Sequence, residues 1–399
     1  MMKKAKVVEG KATFYIPDPQ DYIKDGKFDP AWLPVFYNPR MKINRDISVE
    51  LAKVISPKIV IDAFSASGVR GIRYALEAGV SHVIFNDVDK NAISLIEENI
   101  KLNSIQSFEI YNMDANALLN SKRGFFVDID PFGSPSPFIL SAVRSVGRRG
   151  VIGFTATDLS PLEGSSPRSC RRKYGAINNR KLSFSKEVGV RILLGRIASE
   201  ASVEEKGIFP IMSFYYGHFF RVFIRVEEGA TKADSSLENL GLVAECPKCG
   251  FHKFSNDSCD LRKCEICGSE MTVAGPLWLG SLYESEVLTS MNSEGEAGKL
   301  LNKIKQEISA PAFYYSLDKF SSMLNLPAVP STKDIVECTS GFYTHFDPKG
   351  VKTNMDYSEV IKCMKNSIKI ELKEEDLYEA PPTPSNIQKD SLLQVDGEI

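Results

Sequence analysis

From residue 59 to residue 155, short apolar runs alternate with longer stretches whose apolar residues recur every three or four positions. The runs are Ile59–Phe64, His82–Phe85, Phe108–Tyr111, Phe125–Ile129 and Gly150–Thr155. Runs this short and this apolar read as strands buried on both faces, and the stretches between them as covering helices. One helix is predicted to run through about Glu77 after the turn Ser65–Gly71. A second spans Lys90–Leu102, with Ile93, Ile96 and Ile100 on one face. A third spans Glu187–Glu200, with Val188, Ile192 and Ile197 as its apolar positions. The pattern then changes. Phe209–Tyr216 and Phe219–Val226 are joined only by Gly217 and His218, a connection that permits only antiparallel pairing. A parallel α/β sheet that closes in an antiparallel hairpin is therefore expected.

Outside this region the pattern is weaker. Pro17, Pro19, Pro30, Pro34 and Pro39 predict a mostly irregular arm over residues 1–57. Residues 227–240 are polar and read as a linker, and mixed segments run from about Ser285 to Lys373. The tail from Glu374, with its PPTPS run, reads as disordered. The expected units are thus residues 1–230, residues 241–373 and a tail over 374–399.

Composition adds bounds. The 399 residues are 43% hydrophobic and 25% charged, ordinary for a globular protein. The net charge of -2 excludes a global basic field, so nucleic acid would have to be gripped by local Lys/Arg clusters. The N-terminus lacks the apolar segment of a signal peptide, and no apolar stretch is long enough to span a membrane. A cytoplasmic protein with no membrane partner is expected. The oligomeric state stays open, a monomer being compatible.

Chemistry concentrates at strand ends, where open parallel sheets bind ligands. Asp62, Asp87, Asp114 and Asp130 follow four successive strands. The Ser65–Gly71 turn suits close approach of a ligand to backbone, yet it is not the glycine fingerprint of nicotinamide enzymes. An acid at Asp87 suits ribose hydroxyls, and one at Asp114 suits an adenine amino group. Each could instead merely cap the next helix.

Asp130-Pro131-Phe132 follows the fourth strand. An exocyclic base amine is a poor nucleophile because its lone pair is delocalised into the ring. A carboxylate accepting an N–H bond helps to localise that pair. The proline fixes the turn, and the aromatic stacks the base. This resembles the Asp/Asn-Pro-Pro-aromatic motif of amino-methyltransferases with one proline fewer, although Asp-Pro before Gly133 is also ordinary turn chemistry. A target amine inside folded RNA is reached only by extruding its base, for which Phe132 and Phe36 are stacking candidates.

Cys246, Cys249, Cys264 and Cys267 form two CxxC knuckles, each followed by glycine. They fit a four-thiolate structural zinc site, with no open position for catalysis. Cys259 and His252 suit it less well. Cys170, Cys338 and Cys363 read as ordinary buried cysteines in a reducing compartment. Arg168, Arg171, Arg172, Lys173, Arg180 and Lys181 form a basic loop suited to phosphates. His345, Lys349, Lys352 and Lys362 form a weaker cluster.

Together VEG before Lys11, FYNPRMKINRD, DAFSASGVRG, NDVDKNA, DIDPFGSP, CRRKYGA, GPLWLG and THFDPKGVKT resemble the archaeal-type tRNA (guanine-N2-)-dimethyltransferases that act on position twenty-six. The resemblance implies a class I S-adenosylmethionine-dependent fold, a doubly wound seven-stranded sheet, plus a smaller zinc-containing α+β C-terminal domain that grips tRNA. It implies that Arg45, Arg70, Asp87, Asp114 and Ala115 contact S-adenosylmethionine and that Asp130 engages the guanine N2 amine. Where that family commonly has His-Glu, this chain has Lys186-Glu187. The residues alone leave open an rRNA or DNA amino-methyltransferase, a nicotinamide-dependent dehydrogenase, and a silent zinc-containing RNA-binding protein.

Overall fold

The five apolar runs form parallel strands, four of them mostly buried and Phe108–Tyr111 at the exposed edge of the sheet. The computed structural model describes residues 3–257 and 261–375. Cys259 and the tail beyond Glu375 lie outside the described residues.

The arm departs from expectation. It opens with a hairpin, β1 (Lys4–Glu9) and β2 (Ala12–Pro17), and ends in a helix, α1 (Lys42–Ile55). The prolines do not prevent this, because they sit at strand ends and turn starts. Pro19, Pro30 and Pro39 each open a short helical turn behind Asp18, Asp29 and Asn38, whose side chains accept the turn's N–H groups. α1 was hidden because Asn44, Arg45 and Ser48 are buried along with Ile43, Ile47 and Leu51.

Then follow β3 (Ile59–Asp62), α2 (Val69–Glu77), β4 (His82–Asn86), α3 (Lys90–Leu102), β5 (Phe108–Tyr111), α4 (Ala115–Ser121), β6 (Gly124–Ile129), α5 (Ile139–Ser145) and β7 (Val146–Ala156). Next come α6 (Leu159–Leu162), α7 (Pro167–Tyr174), β8 (Ile177–Asn178), α8 (Ser185–Ser202), β9 (Lys206–Tyr216) and β10 (Phe219–Glu228). The large sheet has seven strands in the order β5-β4-β3-β6-β7-β10-β9. β3 to β7 pair in parallel, while β10 pairs antiparallel to both β7 and β9. The fold is therefore the doubly wound sheet with a terminal antiparallel hairpin. Strand order reverses between β3 and β6, which opens a crevice beyond their carboxyl ends.

Two predicted loops are structured. Residues 230–237 form α9 (Ala230–Leu237), not linker. Its buried positions are the small residues Ala233 and Ser236, which carry no apolar signal. Ser236 Oγ lies 2.7 Å from the Ile208 N–H, which it accepts, and donates to the Ile208 carbonyl at 3.1 Å. The basic segment 168–181 is α7 followed by β8. β8 joins a second sheet with β11 (Leu240–Glu245), β12 (His252–Ser255) and β13 (Thr272–Trp278), in the order β12-β11-β13-β8.

The main apolar core runs from Ala12 through the large sheet to Phe313 and Phe346. A smaller cluster gathers Cys246, Cys249 and Cys264 with Leu317, Phe320, Val360 and Met364. Cys338 and Cys363 correct their reading as ordinary buried thiols: they form a disulfide, with Cα atoms 5.9 Å apart. Two helices bring them together across 25 residues, a pairing no local motif signals. The weaker basic cluster is corrected too. His345 and Lys352 are buried against Glu307, and Lys352 also against Glu187, instead of forming a surface patch.

Candidate active site

A cavity of about 470 Å³ occupies the crevice. Arg45 comes to it from α1, Arg70 from α2, Asp87 from the end of β4, Asp130 to Phe132 from the end of β6, and Phe36 from the arm. These expected residues are therefore brought together. Asp114 and Ala115 are not part of the lining. Asp114 caps α4, its Oδ1 accepting the Asn116 and Ala117 N–H groups at 2.9 and 3.2 Å, and its Oδ2 has no partner among the described residues.

Asp87 is held by backbone. Ala66 N–H donates to Oδ2 and Asp89 N–H to Oδ1, each at 2.9 Å, so one lone pair on each oxygen stays available. The turn that supplies Ala66 depends on glycine at two points. Gly68 has φ of 78°, in the left-handed region. A Cβ on Gly71 would lie 2.3 Å from the Phe85 ring, so only glycine lets α2 approach β4.

Beneath the cavity lies a sealed charge network that sequence reasoning missed. Asp128 is fully buried two residues before Asp130. It accepts from Tyr74 Oη at 2.5 Å and from Arg221 Nη1 and Nη2 at 3.1 and 2.7 Å. Burial pushes the Asp128 carboxyl up, but Arg221 and Arg70 outweigh burial and hold it below the usual carboxylate range. Gly153 leaves space for this: a Cβ there would lie 2.6 Å from Arg221 Nη2. The available signal was Arg221 itself, a charge inside the apolar run FFRVFIRV, which a buried strand tolerates only with a partner.

Arg70 bridges this network to the cavity. Its Nη1 donates to Asn44 Oδ1 at 3.0 Å and Ser48 Oγ at 3.2 Å, and its Nη2 is ion-paired with Asp130 Oδ2. Asp130 Oδ1 has no partner among the described residues, and the side chain is about one-fifth exposed. Asp62, by contrast, points inward and accepts the Gly71 N–H at 3.1 Å. Burial raises its pKa to about 7, against the pull of Arg70 and with the help of Asp128.

Arg45 is fixed from the arm. Its Nε and Nη2 bind Glu9 at 2.7 and 2.6 Å, while Nη1 has no hydrogen-bond partner among the described residues. Arg73 adds to Glu9 at 2.8 Å. Burial pushes the Glu9 carboxyl up, but Arg45 and Arg73 prevail and hold it at about 2. Phe36 and Phe132 meet edge to face with ring centroids 4.7 Å apart, and Phe132 is 72% exposed. His218, from the β9–β10 turn, and Thr157 also line the cavity. Neither was anticipated, because nothing local marks a turn residue as facing a distant strand end.

The four knuckle cysteines converge as expected, with all four Sγ atoms within 4.8 Å of one another. Cys246 and Cys267 sulfurs lie 3.5 Å apart, and Cys249 and Cys264 sulfurs 3.6 Å apart. Tetrahedral zinc with Zn–S of about 2.3 Å needs sulfur–sulfur edges near ~3.8 Å, so the donor set fits. In each knuckle the terminal glycine N–H donates back to the first cysteine carbonyl at 2.9 Å.

A family model for N2,N2-dimethylguanosine tRNA methyltransferase matches residues 10–365. A tRNA (guanine(26)-N(2))-dimethyltransferase of Saccharolobus solfataricus is 47% identical over 378 residues, covering 92% of this chain and 100% of that relative. One from Metallosphaera sedula is 46% identical over 377 residues, covering 92% and 98%. Among solved structures, Trm1 from Pyrococcus horikoshii in complex with S-adenosyl-L-methionine is similar, with a TM-score of 0.80 and 34% identity over 90% of this chain and 99% of that one.

Proposed function

The chain belongs to the N2,N2-dimethylguanosine tRNA methyltransferase family, and from that premise we propose that its cavity methylates the N2 amine of guanine 26 in tRNA with Asp130 at the reacting nitrogen. The observation that carries this reading is Asp130 itself. One of its oxygens is tied to Arg70 and the other is free, in a cavity shared with Asp87 and two aromatic rings.

S-adenosylmethionine, when bound, supplies a methyl group on a sulfonium. Asp87 offers its remaining lone pairs to the ribose hydroxyls. Arg45 offers Nη1 to the carboxylate, its other two donor nitrogens being held on Glu9. Asp114 Oδ2 and the Ala115 N–H, in the first turn of α4, suit the adenine edge. Arg70 has a different part from the one its family resemblance implies. With Nη1 and Nη2 committed, it fixes Asp130, and only Nε remains for a ligand.

Phe36 and Phe132 part to admit an extruded guanine and stack it. Asp130 Oδ1 accepts the N2–H, favours the pyramidal nitrogen, and takes the proton that the nitrogen sheds on methylation. Pro131 is buried and holds the turn. The same steps repeated on the rotated monomethyl amine yield N2,N2-dimethylguanosine. Cys246, Cys249, Cys264 and Cys267 would hold a structural Zn2+. Residues 1–230 would carry the chemistry, and residues 241–373 the grip on tRNA.

The test uses labelled S-adenosylmethionine and two tRNA transcripts, one with guanosine 26 and one with inosine 26, which lacks the N2 amine. Nucleoside mass analysis should find mono- and dimethylguanosine from the first and no methylated product from the second. Equal transfer to both transcripts would exclude the N2 amine as the acceptor.

A further inference from the structure

Between Glu163 and Glu187 the chain carries seven Lys/Arg and no Asp/Glu, in a protein whose 49 basic and 51 acidic residues otherwise nearly balance. The folded structure sorts these cations. Lys173 pairs with Asp158 at 2.9 Å, and Lys181 is ion-paired with Glu163. Lys186 lies over the Tyr215 ring. Arg168, Arg171, Arg172 and Arg180 are exposed and form no ion pair among the described residues.

Three of these four belong to α7 at positions i, i+3 and i+4, so they share one face. The opposite side of α7 buries Cys170 and Tyr174. Tyr174 fastens the helix to the reaction centre: its Oη accepts from Ser134 Oγ at 2.8 Å and donates to Asp158 Oδ1 at 2.6 Å. Ser134 lies four residues after Asp130 on the same loop. At its other end the segment passes into β8, where Ile177 and Asn178 pair with Gly275 and Ala274 of β13. An unpaired guanidinium face is thus bolted to the catalytic loop and continues into the sheet that carries the cysteine knuckles.

Like charges crowded without counterions are unfavourable unless a polyanion completes them. Guanidinium forks at one-turn spacing suit successive phosphates of a nucleic-acid backbone. We propose that the Arg168–Arg171–Arg172 face of α7, continued by Arg180, is a phosphate clamp that holds the tRNA backbone beside the extruded nucleotide. This rests on the tRNA reading of the site and adds, within residues 1–230, a second backbone-binding surface to the grip proposed for residues 241–373. The clamp is sequence-independent, so it sets affinity and register and leaves base choice to the cavity.

The test compares two full-length variants. Arg168→Gln/Arg171→Gln/Arg172→Gln removes the clamp. Arg148→Gln/Arg149→Gln removes exposed charge at the start of β7, the end of the sheet opposite the cavity. Thermal unfolding and S-adenosylmethionine affinity are measured first and should match wild type in both. Binding to an unmodified tRNA transcript is then followed across salt concentrations. The triple variant should bind on the order of tenfold to a hundredfold more weakly near physiological salt, with the slope of log K against log salt shallower by about two. The double variant should bind as wild type does. An unchanged slope in the triple variant would overturn the clamp, as would equal losses in both variants. Wild-type enzyme that binds tRNA but transfers no methyl would count against the proposed reaction and leave the clamp standing on its binding data.

Discussion

Asp128 lies in β6 and Asp130 directly follows its last residue, yet the two acids meet opposite fates. Asp128 is sealed among Arg221, Arg70 and Tyr74, whereas Asp130 reaches the cavity with one oxygen free. Removing one member of a buried ion pair typically costs about 3–5 kcal/mol because the partner is stranded. Asp128 is therefore a structural anchor, and substitution there should unfold more than it informs. Asp62 is the third acid of the group and behaves differently again. Burial raises its folded pKa to about 7 from 3.8. The folded state thus binds the proton more tightly than the unfolded chain does. Its contribution is most favourable below about pH 4, falls as pH rises toward 7, and is level above that. Asp62→Asn keeps an acceptor for the Gly71 N–H without a charge. In urea titrations the variant should gain stability over wild type progressively from pH 4 to pH 7, by up to roughly 4 kcal/mol. Parallel curves for the two proteins across that range would contradict the assignment.

At the scale of elements, legibility followed burial. The inner parallel strands β3, β4, β6 and β7 were readable because they are mostly buried and carry nearly unbroken apolar runs. α3 and the β9–β10 hairpin were readable for similarly local reasons: a clean helical stripe and a two-residue connection. α1 and α9 were not, because their buried faces hold Asn44, Arg45 and Ser48 in one case and Ala233 and Ser236 in the other. Polar groups placed for function or for backbone capping mimic a solvent-facing pattern. The knuckles were legible by spacing alone, since a CxxC turn brings both thiolates to one side. They also belong to the smaller core, where Cys246, Cys249 and Cys264 cluster with Leu317 and Phe320. Cys246→Ser/Cys249→Ser should therefore lose bound zinc, as read by metal analysis, and lower the thermal midpoint by several degrees. Wild-type protein that is metal-free after purification in zinc and melts as the variant does would refute a metal role.

Across the whole molecule, the site depends on contacts that no single motif announces. The arm supplies Glu9 to Arg45 and Arg73, and α1 supplies Asn44 and Ser48 to Arg70. Glu187 is fully buried and ion-paired with both Arg191 and Lys352. Glu307 continues that network to His345, whose Nε2 accepts the Tyr215 N–H at 3.3 Å. Tyr215 precedes by three residues the His218 that lines the cavity, so the C-terminal elements brace the hairpin at the active site. No helix among the described residues is long and apolar enough to cross a membrane. The candidate residues at the strand ends were legible because acids there are conspicuous. Their supporting ion pairs were not, because each is formed by residues far apart in sequence.

Arg70, held by Asn44 and Ser48, fixes one carboxylate at the cavity, Asp130. Asp130→Ala leaves Arg70 beside Asp128, Asn44 and Ser48, so the variant should stay folded and keep its S-adenosylmethionine affinity by calorimetry. Single-turnover methyl transfer to tRNA, measured on the same preparation, should fall about a thousandfold or more. Transfer within about tenfold of wild type, with cofactor binding intact, would remove Asp130 from the reaction.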